Sequence, residues 1–481
     1  MTFKIRALFS MAAIAILSSQ ALAQKESMFE TIEQRGEAAW ERAKQIWAWA
    51  EPGYQESKSS KLLADDLAAA GFTVKRGVAD IPTAFTATYG KDKPIIGILG
   101  EFDALPGLNQ QASPERGKLE DSDTNYGHGC GHHLFGVASA EACVAIAQEI
   151  KAGTFTGTVR FYGCPAEEGG SAKVFMVQAG LFKDCDTVLH WHPSSTNSAG
   201  DRSTLARNAV KFRFHGKAAH AAGAPEQGRS ALDAVELTNF AAQLLREHTP
   251  DGTRIHHVIT AGGEAPNVVP EFAEVYYYIR HPKSQVAREL YARLVKCAQA
   301  GALATETRLE IDFQGGIVEI LPNNVLAGIT LKNLRNLNTL AWDNKETQFA
   351  ARIQNTLANP IPLTSIKQVV DVSGTIGMGS TDVGDVSWVV PTTGFNTACF
   401  VPGTPGHSWQ AVACGGTTVA RKGMHLAARV LAATAYDLFS SPEIMMAAQA
   451  ELRQRLGGEP YRTLMVPGQK PPLGYRNPPK R

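Results

Sequence analysis

The sequence predicts an α/β fold: a mixed, largely parallel sheet with helices on both faces, interrupted by a small βαββαβ domain. Three observations carry this expectation. Short apolar runs alternate with helix-periodic stretches between residues 94 and 189; from 208 to 314 the order changes to strand, helix, strand, strand, helix, strand; beyond that the alternation resumes. Alternating strands and helices call for parallel strands covered by helices. The middle order is that of a split βαβ unit, a two-layer domain with its own core.

At the N-terminus, Lys4 and Arg6 precede an apolar run over residues 7–17, and Ala21, Leu22 and Ala23 follow it. This pattern is that of an export signal cleaved after Ala23, which predicts a periplasmic or secreted protein. The run is too short for the ~20 residues a spanning helix needs, so no membrane span is expected after processing. Residues 28–50 and 57–70 read as helices, the second stopped by Gly71. Strands follow at 94–99, 157–162 and 187–189, separated by helices at 134–150 and 172–179. In the middle, strands 208–214, 255–261, 274–280 and 309–314 are joined by helices 229–247 and 283–305. Strands at 386–390 and 397–401 and a long apolar helix at 417–439 complete the outer domain. The expected division is 1–23 for the signal, 24–206 with 326–481 for the outer domain, and 207–325 for the inserted one. Residues 467–481, rich in proline and basic groups, read as an extended surface strap or a disordered tail with no chemistry assigned.

Composition excludes several classes. With 481 residues, 44% hydrophobic and 19% charged, the chain is neither disordered nor fibrous and has room for two packed domains. Lys+Arg 47 against Asp+Glu 46 leaves no global basic field for nucleic acid. There is no GxSxG elbow, Walker loop, HExxH or CxxC pair. Seven cysteines are an odd number, so at least one thiol stays outside any intramolecular disulfide.

Five segments concentrate residues able to ligate metal, most of them just after an expected strand. The first holds Glu101 and Asp103, two carboxylates at i and i+2 that point the same way on an extended segment. In the second, His128, Cys130, His132 and His133 alternate with Gly127, Gly129 and Gly131; thiolate and imidazole both suit a borderline-soft divalent ion. The third is Glu167-Glu168, where neighbouring side chains diverge, so one can bind metal while the other moves protons. The last two hold His190 and His192, and His407. Strand carboxyl ends converge on one crevice in an open α/β sheet, so these segments could share a site.

In this order, the segments resemble the aminoacylase and hippurate-hydrolase branch of the dinuclear-metal peptidases and amidohydrolases. The likeness extends over the mature chain, including the run from Gly216 to Ala222, Ser380-Thr381-Asp382 and His407. It implies a zinc-peptidase-like outer domain and a ferredoxin-like lid and dimerisation domain. It also implies two divalent metal ions, zinc or manganese, held by Cys130, His132, Glu168, His192 and His407. Glu167 would be the general base, and Asp103 would orient a ligating histidine. His220 would reach from the lid into a partner's site to steady an oxyanion, in a homodimer or a heterodimer with a related second chain. Asn267 and Arg280 would touch substrate, the arginine by holding a carboxylate with its planar fork. Two departures bear on the metal: the aminoacylase branch has a ligand histidine where Glu101 stands, and an Asp is usual where His133 stands. His190 competes with His192 for one ligand place, with the Trp-His-Pro context favouring His192.

The expected activity is hydrolysis of the amide of an N-acyl or N-aroyl amino acid, of the aminobenzoyl-glutamate kind, or of a small dipeptide. An exported binding protein that holds amino-acid conjugates without cleaving them is the alternative. A di-metal phosphoesterase would need a phosphate-cradling loop, which the sequence lacks. Assigning Cys130 to metal leaves six cysteines whose pairing sequence does not give, with Cys143 and Cys399 read as buried thiols from their apolar settings.

Overall fold

A computed structural model describes residues 25–120, 122 and 124–477; the export-signal residues lie outside this range. In chain order the strands are β1 (Thr73–Arg76), β2 (Phe85–Gly90), β3 (Ile95–Glu101), β4 (Leu105–Pro106), β5 (Tyr126–Gly127), β6 (Thr158–Cys164), β7 (Thr187–Ser194), β8 (Asn197–Ala199), β9 (Ala206–His215), β10 (Arg254–Ala261), β11 (Phe272–His281), β12 (Arg308–Ile317), β13 (Val369–Asp371) and β14 (Thr392–Ala398). Strands apolar on both faces must be covered on both faces, which puts them inside a sheet. Ile96, Ile98 and Leu99 of β3 and Val159 and Phe161 of β6 are fully buried, and both strands are interior. The larger sheet runs β1-β2-β6-β3-β7-β14-β8-β13. Its centre, β6, β3, β7 and β14, is parallel; β1 and β2 continue it antiparallel at one edge, and β8 pairs antiparallel with β14. The helix His132–Ala152 is buried along most of its length, as its nearly all-apolar circumference demands. It packs on β3, β6 and β7 and against the helices Glu26–Trp49 and Thr418–Ser440.

The smaller sheet is antiparallel, ordered β10-β11-β9-β12, with the helices Ala231–Arg246 and Ser284–Ala304 laid on it. Its core, built on Val210, Phe212, Val235, Val275, Ile279, Leu290 and Leu294, is separate from the main one. Alternation along β9 explains this: Val210, Phe212 and Phe214 face inward while Lys211 and Arg213 face out.

Two expectations fail in the second half of the large sheet. Residues 386–390 are no strand: Val383–Ser387 is a short helix, and Val386 and Val390, one helical turn apart, are both buried. The strand expected at 397–401 begins earlier, at Thr392, immediately after Pro391. A short Val-rich run bounded by proline does not distinguish buried helix from buried strand by its period.

The described part of the tail is a strap across the junction of the two sheets. Tyr461 donates to Asp385 (2.6 Å), whose other carboxylate oxygen accepts from the backbone N–H of Val318, just past β12 (3.2 Å). Arg288 donates to the Arg462 and Thr463 carbonyls, and Leu464 packs beside Val318. All seven cysteines are free thiols.

Candidate functional site

Because β6, β3, β7 and β14 are parallel, their carboxyl ends lie along one edge of the sheet, and the chain leaves that edge carrying its polar residues. Glu101 and Asp103 follow β3, Glu167 and Glu168 follow β6, and His190 and His192 occupy the end of β7. A cleft of about 610 Å³ opens there, lined among others by Glu101, Cys130, Glu167, Glu168, His192 and His407.

The cysteine segment fits this edge only because of its glycines. Gly131 precedes the helix His132–Ala152 with φ +78°, and a Cβ on it would stand 2.8 Å from Pro193. A Cβ on Gly129 would press on Leu108 and on the backbone of His407. The backbone thus passes between the β7 end and the His407 loop, a close approach that glycine permits.

Five side chains meet there. Cys130 Sγ lies 3.4 Å from His192 Nε2. Cys130, His132 and His192 form one group whose donor atoms all lie within 4.8 Å of one another; Cys130, Glu168 and His407 form a second, so the thiol is common to both. Each ring is aimed from behind. His132 Nδ1 bonds Asp103 Oδ1 (2.9 Å), and Asp103 Oδ2 accepts the backbone N–H of Glu168 (2.9 Å), so one buried carboxylate fixes a ligand from each group. His192 Nδ1–H donates to the Pro193 carbonyl (2.7 Å), leaving Nε2 free toward Cys130. His407 stands 3.3 Å from Glu168, with a left-handed φ of +57° that is strained for a residue with a Cβ.

The donor set fits divalent metal. His132 Nε2 and Glu168 Oε1 are buried without a hydrogen-bond partner, and both belong to the two groups. Burial alone would raise the Cys130 thiol, yet the neighbouring His192 and His132 hold it well below its ordinary range, which favours the ligating thiolate. Hydrogen bonds to Cys130 and Glu168 push His407 up to about 11, the answer of an imidazole to two anions with no cation between them.

Glu167 is half-buried beside these groups. Burial and the nearby carboxylates Glu101, Glu168 and Asp382 hold its carboxyl well above the usual range. Behind it runs an ionic chain that the sequence reading missed: Lys173, fully buried, bridges Glu101 (2.6 Å) and Asp382 (2.7 Å). Glu101 also stands 3.1 Å from His132 Nε2. The signal was present as a single lysine in the apolar helix Ala172–Gln178, since a buried ammonium requires carboxylates around it.

Other histidines of the motifs turn away. His128 bonds the Ile46 carbonyl (3.1 Å) and His133 the Gly415 carbonyl (3.0 Å); burial holds both well below the usual histidine range, so both are neutral supports. His133 therefore does not enter the coordination sphere. His190 lines the cleft, pushed by burial to about 4, but joins neither group containing Cys130.

The small domain contributes unevenly. Arg280, on β11, lines the cleft. His220 and Asn267 do not: both are exposed in the segments beyond β9 and β10, where the Ala221 N–H donates to the Asn267 carbonyl. The tail, to which no chemistry was assigned, does reach the site. Tyr475 and Arg476 both donate to the Glu168 carbonyl, and Arg476 lines the cleft.

Residues 206–306 match the family described as a peptidase dimerisation domain. The chain is 41% identical over 446 residues to one of the chains of the p-aminobenzoyl-glutamate hydrolase of Escherichia coli, covering 87% of this chain and 92% of that protein. It is 28% identical to the Xaa-Arg dipeptidase of Mus musculus, over 90% of this chain and 93% of the relative. Among solved structures, a dinuclear metal-binding peptidase of the M20 family from Bacillus subtilis superposes with a TM-score of 0.54 at 16% identity, over 83% of this chain and 99% of that one.

Proposed function

Because the chain belongs to the M20 family of dinuclear-metal peptidases and amidohydrolases, we propose that it hydrolyses the amide of N-acyl or N-aroyl amino acids or small dipeptides. Its relatives carry the names of p-aminobenzoyl-glutamate hydrolase, Xaa-Arg dipeptidase and hippurate hydrolase, all of which cleave such bonds. The observation that carries the reading is one cysteine shared by two ligand groups with a half-buried glutamate alongside.

Cys130, His132 and His192 would hold one ion, and Cys130, Glu168 and His407 the other, with zinc or manganese suited to this mixed donor set. When bound, such ions supply Lewis-acid polarisation of the carbonyl and acidify water. Glu167 takes the proton of the attacking water and passes it to the departing amine nitrogen. Asp103 holds His132 and the Glu168 backbone in register, and Arg280 receives the substrate carboxylate by its fork.

His220 and Asn267 fit a site in a second chain, since neither lines the cleft of its own. The helix Ala231–Arg246 exposes Leu237, Phe240 and Leu244 on one stripe, and β10 exposes Val258 and Ile259. This apolar face supports a two-fold dimer through the small domain, either of identical chains or with a related second chain. The N-terminal pattern of residues 1–23 supports a periplasmic or secreted location.

The test is metal analysis paired with product analysis over a panel of N-acyl amino acids, N-aroyl amino acids and dipeptides. About two divalent ions per chain and release of the free amino acid are expected. Full turnover after exhaustive chelation would sink the metal, and binding of the panel without any product would return the protein to the class of binders.

A further inference from the structure

Three arginines converge on the cleft and none has a carboxylate partner among the described residues. Arg280 on β11 and Arg207 on β9 are directly paired across the small sheet; Arg476 arrives from the C-terminal strap; all three line the cleft. The Nε of each is buried without a hydrogen-bond partner. Their guanidinium groups surround Tyr278: Arg207 lies 4.9 Å and Arg280 5.6 Å from its ring centre, and Arg476 acts on its hydroxyl together with them. The other contacts of these arginines are neutral: Arg207 donates to Ser171 Oγ (3.3 Å) and Arg476 to the Glu168 carbonyl (2.5 Å).

The strap holds Arg476 in place through several independent contacts. The Tyr475 ring meets Tyr54 edge-on at 5.7 Å, and its hydroxyl occupies the space beside Gly53 that a side chain there would fill. Gln55 donates to Asn477 (2.9 Å). Like charges held together out of water are costly unless an anion joins them. Arg280 alone, by its bidentate fork, suffices for the single α-carboxylate that every N-acyl amino acid carries. Two further unpaired guanidinium groups beside it exceed that need.

We infer that the amine-side residue of the substrate is acidic, a second carboxylate being held by Arg207 and Arg476, and that the C-terminal strap is therefore a specificity element of the cleft. The inference rests on the amide-hydrolase reading above and narrows it. It also separates this chain from a relative named for arginine at that position, because a basic side chain would meet three cations.

The experiment compares the 4-aminobenzoyl amides of L-glutamate, L-glutamine and L-arginine on the metal-loaded full chain. The wild type is expected to favour the glutamate amide over its neutral isostere by about 100-fold in kcat/KM, since a site built to bond a charged group rejects the analogue lacking it. Arg476→Gln should raise KM for the glutamate amide about tenfold with kcat held and leave the glutamine amide nearly unchanged, while Arg476→Lys keeps part of the preference. Equal turnover of the glutamate and glutamine amides by the wild type overturns the inference. So does an Arg476→Gln enzyme that loses both substrates equally, which would make the strap a brace alone. If none of the three is cleaved, the hydrolase reading falls by itself, and calorimetric binding of the same compounds decides: tighter binding of the glutamate amide upholds the inference, equal binding overturns it.

Discussion

The large sheet and the small one carry their functional residues in opposite ways. At the edge of the large sheet the reactive groups are packed together, and each is held by a second one: Asp103 behind His132, the Pro193 carbonyl behind His192, Lys173 behind Glu101. In the small domain His220 and Asn267 stand exposed, engaged only with backbone groups of their own loops. The first arrangement is complete within one chain. The second is complete only when another surface meets it, and the apolar stripe of Leu237, Phe240 and Leu244 offers such a surface. Preorganised chemistry and borrowed chemistry are thus separated by domain.

The sharpest way to break this contrast is to remove the proton carrier from the packed region. Glu167→Gln keeps the shape but cannot accept a proton, so kcat should fall by roughly 10³- to 10⁴-fold with metal content unchanged. Steady-state rates beside elemental analysis decide it, and a variant retaining full kcat ends the assignment. His220→Ala tests the borrowed half, with an expected loss of about 10²- to 10³-fold in kcat, the usual cost of one oxyanion donor. The two variants together are more informative than either. Mixed under conditions that let protomers exchange, Glu167→Gln and His220→Ala chains should regain activity, because one cleft in each mixed dimer then has both an intact base and an intact histidine. No recovery would place His220 in its own chain's site or remove it from the reaction.

Asp103 sits at a deeper level of the packed region, touching no reacting atom. Asp103→Ala should weaken metal binding by about 10- to 100-fold and lower activity in parallel, the usual effect of losing the group that aims a ligand. Excess metal should restore most of the rate, a rescue that a direct catalytic role would not allow.

How much of this could be read in advance followed the range of the signal. The strand–helix alternation, the βαββαβ order and the ligand segments are local patterns, and the first two emerge in the structure as the larger, mainly parallel sheet and the smaller antiparallel one. Within the dense Gly127–His133 segment, however, local density could not rank the histidines. His132 faces the site while His128 and His133 bond distant carbonyls of Ile46 and Gly415, and only the fold determines where those carbonyls lie. The run 386–390 misled because apolar residues with no clear period serve helix and strand alike. The tail was least legible: its composition suggests a strap, but Arg476 acquires meaning only from Arg207 and Arg280, distant in sequence and adjacent in space.

The smallest expected effect falls on stability, at the seam where the two regions meet. Asp385 belongs to the large domain, accepts from Val318 at the exit of the small one and from Tyr461 of the strap, and is fully buried. Burial pushes its carboxyl up to about 8, against a value near 3.8 when exposed in the unfolded chain. The folded protein therefore keeps a proton that the unfolded chain releases, so this group's contribution is fully present below pH ~4 and is lost as pH rises through ~8. Asp385→Asn keeps both contacts, with the amide donating to Tyr461 Oη and its oxygen accepting from Val318, and has no proton to lose. Urea unfolding at pH 5 and pH 8.5 should show the wild type less stable at the higher pH, by at most a few kcal/mol, with the variant changing less between the two. An identical pH dependence in both proteins would mean that Asp385 is ionised in the folded state and that the seam, unlike the cleft it closes, tolerates a buried charge.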